Sequence, residues 1–174
     1  MRARADATRI RRFMEALGRA TRGPGGVYFT GGTTAVLLGW RDSTIDVDLK
    51  FDPEPAGAFD AIRALKDDLD LNVELAAPED FIPVPADRRR SGRFIAECGE
   101  LRFYHYDLAS QALAKIERGH AQDLADVREL LARGFVSPGE LRELFLRIRS
   151  DLARYPAIDP DDFQAKVDQA LGSA

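Results

Sequence analysis

Cysteine is almost missing from this chain: Cys98 is the only one among 174 residues. That excludes an internal disulfide and any cysteine-rich zinc site, and leaves Cys98 to serve as a small strand hydrophobe. Long apolar runs are missing too. No stretch approaches the roughly 18–20 apolar residues that span a bilayer, and the arginine-rich start has no apolar h-region of the secretory kind. The expectation is a cytoplasmic protein with no membrane association. Strong net charge is also lacking: the formal value is −4, which argues against a broad nucleic-acid-binding surface. No internal repeat, low-complexity tract or linker stands out. What is present is an ordinary soluble composition, 45% hydrophobic and 31% charged, with apolar material enough for a sizeable core. The length suits one domain, or a small α/β core with a helical extension.

One stretch carries chemistry, Val27 to Phe51, reading VYFTGGTTAVLLGWRDSTIDVDLKF. It opens on a short apolar strand (Val27, Tyr28, Phe29, Thr30), breaks at Gly31 and Gly32, continues as a helix-like segment over 33–38, and ends in alternating residues over 45–51. Side chains alternate faces along a strand. Asp46 and Asp48 therefore point one way, and Ile45, Val47 and Leu49 the other. A glycine pair is by itself most often a turn, and an Asp-x-Asp pair most often solvated. Together, separated by a short helix and the loop Gly39-Trp40-Arg41-Asp42-Ser43-Thr44, they form a more specific pattern.

Strand, glycine pair, short helix and Asp-x-Asp strand, in that order, resemble the signature of the DNA polymerase beta-like nucleotidyltransferase superfamily. The run Arg41-x-x-Thr44-x-Asp46-x-Asp48 is similar to its branch of AbiEii-type toxins and related bacterial domains. The resemblance implies a nucleotidyltransferase fold: α/β (α+β), a small mixed sheet flanked by helices, with a C-terminal helical extension. It also implies transfer of a nucleoside monophosphate from an NTP to an acceptor hydroxyl, on RNA such as tRNA or on a protein, with a role as a toxin beside a cognate antitoxin. A catalytically inactive nucleotide-binding or interaction module is the alternative.

Phosphate chemistry gives these residue types their reason. An NTP approaches an acidic pair only with a cation between them, and oxygen ligands suit Mg²⁺, or Mn²⁺. By the resemblance, Asp46 and Asp48 hold the metal, and Gly31, Gly32 and Thr33 face the phosphates. A helix beginning near Thr33 adds a favourable dipole. Arg41, and Thr44 in the same run, are nominated beside them, although a structural ion pair explains Arg41 equally well. In the later strand over 70–75, Glu74 alternates against Val73 and Leu75, and matches the family's third carboxylate, a metal ligand and general base. An exposed edge-strand glutamate is the plain reading.

Elsewhere the periodicity is helical. Ile10, Phe13, Met14 and Leu17 mark a first helix over 5–22, and Phe59, Ile62, Leu65 and Leu69 the inner side of a helix over 58–69. Residues 78–87 read as an irregular loop. Strands over 93–98 and 101–106 are joined at Gly99-Glu100, with His105 a structural histidine by default. The domain division is 1–106 for the core and 107–174 for the helical part. In that part Asp107, Ser137 and Asp159 are predicted N-caps.

The run holding Lys115, Arg118, Asp123 and Asp126 resembles the Lys-x-x-Arg and Asp-x-x-Asp helical motif of the AbiEii-like branch. There the lysine reaches the triphosphate and the aspartates shape the site. The residues alone also allow a solvated Lys115 and an Asp123 that favours its helix N-terminus. Two basic clusters, Arg2 to Arg22 and Arg88 to Arg93, read either as solvated faces or as contacts for a nucleic-acid backbone.

Overall fold

The computed structural model describes residues Arg2–Gly172. The chain forms two compact units. Met1–Ala77 and Gly92–Tyr106 make the first, an α/β unit built on one sheet. Pro78–Ser91 joins Asp107–Ala174 in the second, which is helical. The segment 78–91, which the sequence reading leaves inside the core, thus groups with the C-terminal helices.

In the first unit α1 (Ala7–Ala20) starts where the Asp6 side chain accepts the backbone N–H of Arg9, a cap of the kind that satisfies an orphan donor of the first turn. Then follow β1 (Gly25–Phe29), α2 (Gly31–Leu38), β2 (Asp46–Phe51), α3 (Ala58–Asp68), β3 (Asn72–Leu75), β4 (Arg93–Cys98) and β5 (Leu101–His105). The sheet has five strands in the order β3-β2-β1-β5-β4. β2 runs antiparallel to β1 and parallel to β3, while β5 runs parallel to β1 and antiparallel to β4. The sheet is therefore mixed, as expected.

One face of this sheet is the core. Val27, Phe29, Val47, Leu49, Val73, Leu101 and Phe103 pack with Ile10, Phe13, Met14 and Leu17 of α1 and with Ala61, Ile62 and Leu65 of α3. Each large side chain so buried contributes about 1.5–3 kcal/mol over its exposed state. The period of two sends Asp46, Asp48, Tyr28, Asn72 and Glu74 to the other face. Three apolar residues depart from the expected pattern. Ile45, Phe59 and Leu75 are exposed: Ile45 precedes β2, Leu75 closes the edge strand β3, and Phe59 lies in the first turn of α3.

The second unit holds a 3-10 turn over Pro78–Asp80, α4 (Ala86–Arg89), α5 (Leu108–Arg118), α6 (Ala121–Ala132), α7 (Pro138–Arg149), a 3-10 turn over Ser150–Arg154, and α8 (Pro160–Leu171). The expected loop over 78–87 is thus partly helical. The predicted caps form: Asp107, Ser137 and Asp159 each accept a backbone N–H of the helix that follows. α5 is buried on every side from Ala109 to Ile116, and α6, α7 and α8 all pack on it. Leu141, Leu144, Phe145 and Ile148 form the buried stripe of α7, with Phe145 edge-on to Phe163 of α8 at 5.1 Å between ring centres.

Candidate functional site

β2 and β3 lie parallel, with Asp46 opposite Asn72 and Asp48 opposite Glu74. Residues directly opposite share a face, so three carboxylates and one amide stand side by side. Asp46 and Asp48 are half-buried and Glu74 is exposed. The Asn72 side-chain amide donates to Asp46 Oδ1 and, at 3.2 Å, to Glu74 Oε1. Asn72 was not singled out from the sequence. The signal was present in the same alternation that selected Glu74, two residues on.

The glycine pair meets this strand directly. Gly31 and Gly32 are the first residues of α2, not a separate turn before it, so the helix begins two residues earlier than the expected Thr33. Gly31 adopts φ +57°, a left-handed conformation that glycine takes at little cost. A Cβ there would collide with Asp48 Oδ2, and one on Gly32 would collide with Thr44 Oγ1, with Arg41 Nη1 at 3.3 Å. The pair is small because Asp48, Thr44 and Arg41 come up against it.

Further bonds fix the register. The backbone N–H of Asp48 donates to Thr33 Oγ1 at 3.2 Å, and the N–H of Thr30 to Asp48 O at 3.1 Å. The N-cap residue Thr30 makes no side-chain cap; its hydroxyl donates to Ala76 O at 3.2 Å. Thr44 is held by reciprocal backbone bonds to Ala5 of 2.8 and 2.9 Å. The structure thus gathers Gly31, Gly32, Thr33, Arg41, Thr44, Asp46, Asp48 and Glu74 at one end of the first unit's sheet.

This packing makes a specific expectation for Gly32→Ala. Helix propensity alone favours alanine over glycine by up to about 1 kcal/mol. Displacing a buried, β-branched Thr44 that is tied to Ala5 costs about 1–3 kcal/mol. Urea denaturation should therefore show a less stable variant. A more stable one would mean that the Thr44 contact is not maintained.

Among the described residues, no group of three or more His, Cys, Asp or Glu side chains is gathered to hold a metal ion. Beside the Asn72 amide, the three carboxylates of the β2–β3 face nevertheless offer hard oxygen atoms, the kind that Mg²⁺ and Mn²⁺ take. In chemical type Asp46, Asp48 and Glu74 fit the expected ion.

Beside β1, His105 is buried and its Nδ1 lies 3.2 Å from Thr34 Oγ1. The Thr34 hydroxyl donates to Phe29 O at 3.2 Å, so the imidazole serves as donor to it, which assigns the Nδ1-protonated tautomer. Burial first, and the positive charge of Arg93 second, push the His105 pKa down to about 4. His105 is a neutral strut between β5 and α2, in keeping with its structural reading.

The other nominated residues lie in the second unit and form a group of their own. Lys115 Nζ donates to Asp123 Oδ1 at 2.9 Å and to Asp126 Oδ2 at 2.7 Å, and Arg118 Nη2 donates to Asp123 Oδ1 at 2.7 Å. Lys115 is 5% exposed and Asp126 0%, so Lys115 is neither solvated nor unpaired. Burial would raise the Asp123 carboxyl, but Lys115 and then Arg118 outweigh it and hold the group below the usual carboxylate range. The Arg118 guanidinium also covers the Phe81 ring at 4.9 Å. Compared with known proteins, the chain matches no family model, no curated protein and no solved structure.

Proposed function

We propose that the chain is a metal-dependent nucleotidyltransferase that moves a nucleoside monophosphate from an NTP to an acceptor hydroxyl. The observation that supports this most is the seating of the Gly31-Gly32 pair against Asp48, Thr44 and Arg41. It brings the start of a helix, a guanidinium and the Asp48 carboxylate together, with Asp46 on the same face of the strand. In this reading Asp46 and Asp48 hold Mg²⁺, with Glu74 completing the carboxylate set. The bound ion supplies charge neutralisation for the phosphates and for the oxygens entering and leaving an in-line displacement.

The chain's own residues do the rest. The first turn of α2, at Gly31, Gly32 and Thr33, offers backbone N–H groups and a favourable dipole to phosphate oxygens, and Arg41 adds a fixed positive charge. Glu74, exposed beside Asp48, takes the proton of the acceptor hydroxyl. RNA, such as tRNA, or a protein is the acceptor, and the toxin half of a toxin–antitoxin pair is the biological role that the motif suggests. Lys115 and Arg118 pair with Asp123 and Asp126 within the second unit and are given no step.

A second reading is a nucleotide-binding or interaction module without turnover. The Asn72 amide, donating to both Asp46 and Glu74, is the observation that favours it. Binding of trinitrophenyl-ATP tests the donor side. Mg²⁺ should tighten it in the wild type, and Asp46→Asn/Asp48→Asn should remove the Mg²⁺ dependence. Mg²⁺ dependence that persists in the double variant would take the nucleotide away from these aspartates.

A further inference from the structure

The arginines at the start of the chain fall into two groups. Arg2 donates to Leu71 O and Asp67, Arg4 to Ser43 Oγ, and Arg9 to Leu69 O. These three tie the N-terminal segment down. Arg11, Arg12 and Arg19 are exposed, and among the described residues no ion pair holds any of them. Many other arginines with exposed or half-exposed side chains have a carboxylate partner, including Arg2, Arg102, Arg133, Arg147, Arg149 and Arg154.

Helical geometry places the unpaired three together. At 3.6 residues per turn, positions 11, 12, 15 and 19 fall within an arc of roughly 100°. The core residues Ile10, Phe13, Met14 and Leu17 lie on the opposite side of α1. Glu15 is the one acidic residue on the arc, so cations outnumber it three to one. A chain of net charge −4 thus keeps one outward helix face positive. Because α1 packs on the core face of the sheet, this stripe lies on the far side of the unit from Asp46 and Asp48.

We propose that this face of α1 docks the phosphate backbone of a nucleic acid. The alternative occupant, an acidic protein, fits less well. A stable protein interface is built around buried aromatic or aliphatic anchors. Among the described residues the exposed large hydrophobics are Ile45, Phe59, Leu75, Phe94 and Leu146, and none lies on α1. A nucleic-acid backbone interface needs no such anchor and is polar and positively charged. Guanidinium groups pair bidentately with phosphate. The contact reads no bases and does not depend on nucleotide transfer.

The test measures anisotropy of a labelled, mixed-sequence single-stranded RNA with the full chain, without NTP or Mg²⁺, across a range of salt. Three released counterions predict that log K falls with log salt at a slope of about −2. Arg11→Gln/Arg12→Gln/Arg19→Gln should weaken binding about tenfold or more at low salt and bring the slope towards zero. Arg102→Gln/Arg133→Gln/Arg154→Gln removes the same charge elsewhere and should change neither. All substitutions lie on solvent-facing side chains, and circular dichroism confirms that each variant is folded. Three results would overturn the proposal: no RNA binding by the wild type, equal loss in both triple variants, or labelled poly-glutamate binding as tightly as RNA.

Discussion

Lys115→Met should lower stability by about 3–5 kcal/mol, the usual cost of removing one partner of a buried ion pair. For a chain of this size that is a fall in melting temperature of about 10 °C. Asp126, fully buried, would lose its Lys115 partner at 2.7 Å, and Asp123 would keep only Arg118. A buried pair is not by itself strongly stabilising, because desolvation offsets its attraction. The compensated variant Lys115→Met/Asp123→Asn/Asp126→Leu should therefore regain most of the loss. Differential scanning fluorimetry reads both steps. If the single variant melts with the wild type, the cluster is not the tie between α5 and α6 that its geometry indicates. The compensated variant also separates two roles for Lys115. Transfer retained there makes the lysine structural, and transfer lost in a folded protein makes it a partner of the triphosphate.

Acid should destabilise the first unit through His105. Its free pKa is near 6.5 and its folded value about 4, lowered chiefly by burial and secondarily by Arg93. Above pH 6.5 the imidazole is neutral in both states and contributes nothing to the pH dependence. As the pH falls from 6.5 towards 4, the unfolded chain takes up a proton that the folded chain does not. Stability falls through that window by up to about 1.4 kcal/mol per pH unit, about 3 kcal/mol in all. His105→Gln carries no titrating ring. Its urea-derived stability should be flatter between pH 7 and 5, with the difference from wild type growing as the pH drops. Parallel profiles would show that His105 keeps its ordinary pKa in the fold.

Much of this architecture is legible in the chain because local signals agree with one another. Asp107, Ser137 and Asp159 announce helices by a side-chain oxygen placed before an apolar stripe, and each does cap one. Alternation over Asp46, Val47, Asp48 and Leu49 gives the two faces of β2, and the strand register then sets Glu74 opposite Asp48. What alternation does not supply is the surroundings. Ile45, Phe59 and Leu75 sit at the ends of their elements, where nothing covers them, so an apolar side chain in the right phase is still exposed. The reason for two glycines is equally out of reach of a local reading, because Asp48 and Thr44 approach from residues more than ten positions away. Asn72 shows a further limit. An amide between two carboxylates follows only when β2 and β3 are known to pair in parallel, a tertiary fact. The same holds for the N-terminal arginines, which one helical period does not sort: Arg9 reaches back to Leu69 O while Arg11 and Arg12 face outward.

The central claim, nucleotide transfer by the Asp46–Asp48 face, is tested most directly by incubating the purified protein with Mg²⁺, a total cell extract and each α-labelled NTP in turn. The Asp46→Ala/Asp48→Ala variant runs in parallel. The account predicts label on RNA or protein with the wild type and none with the double variant, which also identifies the acceptor class. Absence of transfer from every NTP, in a protein that still binds nucleotide, would contradict it and leave the fold as a binding module.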